Sequence, residues 1–154
     1  MDNRLLVARQ SAAAGGLLDL VPGAAAAYSL RKLSSTYTDP VVTVRRSSDD
    51  AEGSFTATEV SDGTLAAFCG VGDGFVKQWW VRSGNANKAS RAAPASQRKI
   101  VSSGVVVVEE GKAAIQFGGV GDSLPFATIS ALSLLSVFEV RRRAALCVFG
   151  LAPG

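Results

Sequence analysis

Apolar runs recur at short intervals along the chain. Residues 41–46 (VVTVRR) and 75–81 (FVKQWWV) are rich in β-branched and aromatic side chains and read as strands. Residues 55–60 (FTATEV) alternate apolar and polar positions with a period of two, which predicts another strand. Residues 105–109 and 113–117 flank Glu110-Gly111-Lys112 and read as a hairpin. Beyond Pro125 lie two further apolar stretches, 132–141 and 144–149. Helical spacing is confined to two short places. Ala27, Leu30 and Leu33 fall near one face of a helix that Pro22 could open. Asp62 and Thr64 can start a second helix over 65–69, and Gly70 can stop it. The polar stretches 47–53 (SSDDAEG) and 85–97 read as loops. Short strands separated by turn signals predict a mainly β fold, a jelly-roll or concanavalin-like sandwich with one or two short helices. Residues 1–16, charged and then Ala/Gly-rich, read as an N-terminal arm on a domain spanning 17–154.

Composition narrows the function classes more than the fold. With 154 residues, 47% hydrophobic and 19% charged, the chain is long enough and apolar enough for one domain with a real core. Its net charge of +3 is too small to point to a nucleic-acid partner. The opening MDNRLLVARQ breaks its apolar run too early for a secretory leader. The run at 123–138 (SLPFATISALSLLSVF) carries a proline and several hydroxyls and falls short of a membrane span. No membrane insertion is expected.

Histidine is absent, which removes the commonest general base and the commonest metal ligand. Cys69 and Cys147 are too few for a structural zinc site. They could form one disulfide, although two buried free thiols are the favoured reading. No metal and no cofactor is expected. Gly70-Val-Gly-Asp73 and Gly119-Val-Gly-Asp122 form a near-repeat, but neither copy has the Lys-Ser/Thr that a phosphate-cradling loop requires. Both read as turns, and a lone Asp in each is a weak calcium ligand.

Glycoside hydrolysis needs two carboxylates facing across a cleft. Asp49, Asp50 and Glu52 share one loop, while Glu109 and Glu110 are neighbours whose side chains would point to opposite faces of a strand. Neither set makes a convincing pair. The basic clusters Arg45-Arg46 and Arg141 to Arg143 read as polar strand ends. Trp79-Trp80 is the sharper feature, because one indole must face the core and the other the opposite side. An exposed indole suits sugar stacking or a protein contact, and burial between two layers is the favoured reading.

Three segments taken in order resemble the catalytic-type domain of the α-L-arabinofuranosidase B family, a concanavalin-like jelly roll also found in tailed-phage virion proteins. They are AAAAYSLRKLSSTYTDPVVTVRRSSDDAE, LAAFCGVGDGFVKQWWVRSGNANKAS and QRKIVSSGVVVVEEGKAAIQFGGVGDSL, and the resemblance runs from about Leu17 to about Arg142. The departures concern acidic groups. The family's Tyr-Asp-Gln-Ser-Gly stands here as Trp80-Val81-Arg82-Ser83-Gly84, and its Phe-Asp-Gly-x-Asp-Asp as Phe117 to Asp122 with one carboxylate remaining. No position matches the family's catalytic carboxylates, so no catalytic residue is carried over.

The resemblance implies a non-enzymatic structural or adhesive virion protein of a tailed bacteriophage: a tail, fibre, baseplate or capsid decoration component. Its expected partners are other virion proteins and copies of itself, and the sandwich would be incomplete, with apolar faces covered by neighbours. The last stretch, 144–154, is atypical of the family and is expected to serve assembly with the arm. A second expectation is a lectin-like module for a cell-surface glycan, in which Trp79, Trp80, Arg82 and Asn85 contact the ligand. A third is a remnant glycoside hydrolase.

Overall fold

The computed structural model of the chain describes residues 16–20, 24–83, 88–118 and 123–125. The arm up to residue 15, Pro22, Asn85, the Gly-Val-Gly-Asp copy at 119–122, Arg141 to Arg143, Cys147 and the apolar stretches at 132–141 and 144–149 lie outside the described residues. The elements in chain order are α1 (Leu17–Leu20), β1 (Val42–Arg46), β2 (Glu52–Phe55), α2 (Ala57–Ser61), α3 (Thr64–Cys69), β3 (Gly74–Trp79) and β4 (Ala89–Ser90). A 3₁₀ turn (Pro94–Ser96) then leads to β5 (Arg98–Ser102), β6 (Val105–Val106), β7 (Val108–Glu109) and β8 (Lys112–Ala113). The fold is mainly β: a curled antiparallel sheet in the order β2-β1-β3-β5-β6, with β4 also pairing with β3 and a separate β7-β8 hairpin. This arrangement is compatible with an incomplete β-sandwich.

Two bulges curl the sheet. One interrupts the β1–β3 register between Thr43 and Val44, so Thr43 opposes Gln78 while Val44 opposes Val76. The other falls between Gly74 and Phe75 against β5. Consecutive residues of a regular strand face opposite ways, yet Ile100 and Val101, at this second bulge, both join the core. Val41, Val42, Val44 and Val76 meet Val60, Leu65 and Cys69 of the helices, with Leu30 and Phe55 completing the cluster. Each of these large side chains contributes roughly 1.5–3 kcal/mol by leaving water. Gly74 is buried because Cys69 packs where a side chain would stand: a Cβ there would lie 2.7 Å from the Sγ.

Two expectations about local structure are corrected here. The alternating stretch 55–60 is not a strand throughout. Strand β2 stops at Phe55, and Thr56 opens α2 with a capping box. Its hydroxyl accepts from the Glu59 N–H at 3.3 Å, and the Glu59 carboxylate accepts from the Thr56 N–H at 2.8 Å. Reciprocal satisfaction of two helix-end donors outweighs a period-two pattern. The helix expected around 24–33 does not form either. Its carbonyls serve another part of the chain: Arg82 N–H donates to Ala27 O at 2.8 Å, and the Ser83 hydroxyl to Ala25 O at 3.4 Å. Helix α3 runs as expected and ends at Gly70, whose φ of 60° is left-handed. A hairpin does turn at Glu110 and Gly111, with φ of 49° and 69°, but its strands are β7 and β8 alone, shorter than the expected 105–109 and 113–117, and Lys112 belongs to β8. Ser103-Gly104 makes a similar turn at 49° and 79° between β5 and β6.

Candidate binding face

The helices and the 24–41 segment cover one face of the sheet; the other carries polar and aromatic side chains. Alternation sends Trp79 and Trp80 to different faces. Trp79 opposes Val42 and packs against the core, its ring 5.6 Å from that of Tyr28 at an angle of 48°. Trp80 stands on the other face, partly buried like Trp79. Its Nε1–H donates to Thr43 Oγ1 at 3.0 Å, and Thr43 shares a further hydrogen bond of 2.9 Å with Ser54 Oγ. Antiparallel pairing of Gln78 with Ser90 and Trp79 with Ala89 puts Lys88 beside Trp80 at the next step. The Lys88 Nζ lies 5.5 Å from the indole centroid, in the range of a cation–π contact.

Arg82 takes a different position. It is 4% exposed, with its guanidinium 4.6 Å from the centre of the Tyr37 ring and Nη1 donating to Arg31 O at 3.2 Å. Burial pulls its pKa below the usual arginine value, and burial pushes that of Tyr37 up. The guanidinium still carries its charge at neutral pH. In this position Arg82 pins the 24–37 segment onto the end of β3. Of the four residues singled out from sequence, Trp80 turns away from the core, Trp79 packs partly buried against it, Arg82 is buried and Asn85 lies outside the described residues.

Further along the sheet four cations have carboxylate partners. Arg45 lies 5.0 Å from the Phe75 ring centre, donates from Nε to Gln97 Oε1 at 2.8 Å and pairs with Asp50. Lys99 pairs with Asp73 at 2.7 Å, and Lys77 with Glu52 at 2.5 Å. At the β1–β2 turn Arg46 pairs with Asp49 at 2.6 Å and stacks on Phe68. These contacts set the acidities. The Arg46 hydrogen bond and the Ala51 N–H hold Asp49 well below the ordinary carboxylate range. The Lys99 and Ser103 donors lower Asp73, and the Thr64 donors lower Asp62. Ser34 and Ser35 bring Asp19 down to about 2. Asp73 closes the first Gly-Val-Gly-Asp copy by accepting from Ser103 N–H at 2.9 Å, so this copy is a latch between turns.

Thr43, Ser54, Lys88 and Gln97 were not singled out from sequence. Lys88 and Gln97 sit in a stretch that reads as loop, and only strand register reveals that Lys88 neighbours Trp80. Among the described residues no group of three or more acidic or thiol side chains could hold a metal, and no helix is long and apolar enough to cross a membrane. No family model, curated protein or solved structure matches this chain.

Proposed function

We propose that this chain is a non-enzymatic structural or adhesive component of a tailed-phage particle, working by contact with partner proteins and copies of itself. The carrying observation is where its apolar side chains surface. Val71 is 95% exposed and lies against the Ser103-Gly104 turn, from which Val105, 68% exposed, opens the edge strand β6. An edge strand flanked by bare valines suits pairing with another chain. The carboxylates add support, because Asp49, Asp62 and Asp73 are engaged as acceptors that favour ionisation, the opposite of what a general acid needs. The phage assignment itself is supported by the family resemblance of the three segments. Sedimentation of the purified chain, alone and with Val71→Lys and Val105→Lys together, tests the contact. The expected result is self-association or partner binding that the double variant abolishes; a monomer in both, with turnover of an aryl arabinofuranoside, overturns the proposal.

A second reading, a saccharide-binding face, is favoured by Trp80. Its N–H is anchored on Thr43, which holds the ring of a partly exposed indole in one orientation. A rigid aromatic platform binds with little loss of side-chain entropy. Both roles fit one adhesive protein.

A further inference from the structure

We propose that Asp73 is the positioning residue of a self-contact: its carboxylate holds together the two turns beside Val71 and Val105, and the rim they form meets the β6 edge of a second copy of this chain. The inference rests on the contact reading above and adds the partner and the residue that sets the surface. Asp73 joins three segments. Its Oδ1 accepts from Ser103 N–H at 2.9 Å, and its Oδ2 pairs with Lys99 Nζ at 2.7 Å. Its own N–H donates to Ser47 Oγ at 2.9 Å, and its carbonyl accepts from Ser47 N–H at 2.9 Å. One further bond runs directly between the two turns, from Gly104 N–H to Gly72 O at 2.8 Å. They also touch: a Cβ on Gly104 would lie 2.4 Å from Gly70 O and 3.4 Å from Val71 Cα.

Rigidity matters here because glycine flanks Val71 on both sides and precedes Val105. Glycine has more backbone freedom to lose than any other residue, so an unlatched 70–72 loop would have to be ordered by the partner. The latch orders it beforehand and leaves both valine side chains in water. A second copy is the occupant that the edges select. Among the described residues the strand order ends at β6, and residues 100–108 carry no charged side chain. Pairing about a two-fold axis sets a strand against its own copy, where any charge would meet its like. The opposite edge, β2, opens on Glu52 and follows a turn carrying Asp49 and Asp50, which guards it against the same pairing.

Sedimentation of the purified chain at neutral pH tests this, with circular dichroism confirming that each variant is folded. The wild-type chain should self-associate, and Asp73→Ala should weaken that association about tenfold by releasing the rim. Asp73→Asn, whose Oδ1 can still accept from Ser103 N–H, should recover part of the loss. Thr56→Ala, which removes the α2 cap, should associate like the wild type although it is less stable. Ser47→Ala removes only the acceptor of the Asp73 N–H; it should act in the same direction as Asp73→Ala and keeps the test readable if that variant does not fold. Association unchanged in Asp73→Ala and Ser47→Ala, or weakened equally in Thr56→Ala, overturns the positioning role and leaves the contact standing. A wild-type monomer at every concentration overturns the self-contact and the inference with it.

Discussion

Arg45 Nε donates to Gln97 Oε1 at 2.8 Å across 52 positions of sequence, tying β1 to the residue that precedes β5. Gln97 is buried and fully used: its Nε2 donates to Arg91 O at 3.1 Å, and its Oε1 accepts from the arginine. Removing such a partner strands a buried group, so Gln97→Ala should destabilise the chain by about 1–3 kcal/mol. Asp50, 75% exposed at its side chain, also contacts Arg45, but Asp50→Asn should cost roughly 0–1 kcal/mol. Urea unfolding of both variants checks the contrast.

The capping box of α2 gives a second expectation. Thr56→Ala removes the acceptor for Glu59 N–H, and Glu59→Ala removes the acceptor for Thr56 N–H. Each should lower stability by about 1 kcal/mol. Because the two bonds brace one helix end, the double variant should lose less than the sum of the singles. A double-mutant cycle by chemical denaturation measures the coupling, and strict additivity would count against a reciprocal cap.

Two glycines should respond to alanine for different reasons. At Gly74 the new Cβ would stand 2.7 Å from Cys69 Sγ and 3.1 Å from both Val101 Cβ and Val44 Cγ1. Overpacking of that kind typically costs about 1–3 kcal/mol. At Gly111 nothing lies within 4 Å, and the cost of roughly 1–2 kcal/mol comes from holding an L-residue at a φ of 69°. Trimming the neighbour, with Gly74→Ala combined with Cys69→Ala, should recover part of the first loss. No companion substitution should rescue the second.

Acid should unfold the chain through its carboxylates alone. Asp19 and Asp73 ionise more readily folded than unfolded, so their ionisation favours the native state. That contribution is complete above the ordinary carboxylate value of 3.8, shrinks as pH falls below it, and is gone once pH drops beneath the folded values, about 2 for Asp19. With no histidine in the chain, stability should be flat through the neutral range. Urea midpoints measured against pH should fall below about pH 4, and more gently in Asp73→Asn. A transition near neutral pH would contradict this account.

Local chemistry made much of the architecture legible without coordinates. β-branched density marked β1 and β3, Gly70 marked the end of α3, and Glu110-Gly111 marked a turn, because each rests on the conformational preferences of a few adjacent residues. The alternation of Trp79 and Trp80 was equally local, and it correctly divides the two indoles between faces. Tertiary structure decided what a linear pattern cannot hold. It chose which indole turns away from the core, drew Arg82 under Tyr37, turned the 24–33 carbonyls toward Arg82 and Ser83, and set Lys88 beside Trp80. Each of those outcomes depends on strand register and on a hydrogen bond closed between distant residues, and a one-step slip of register would reassign every one of them.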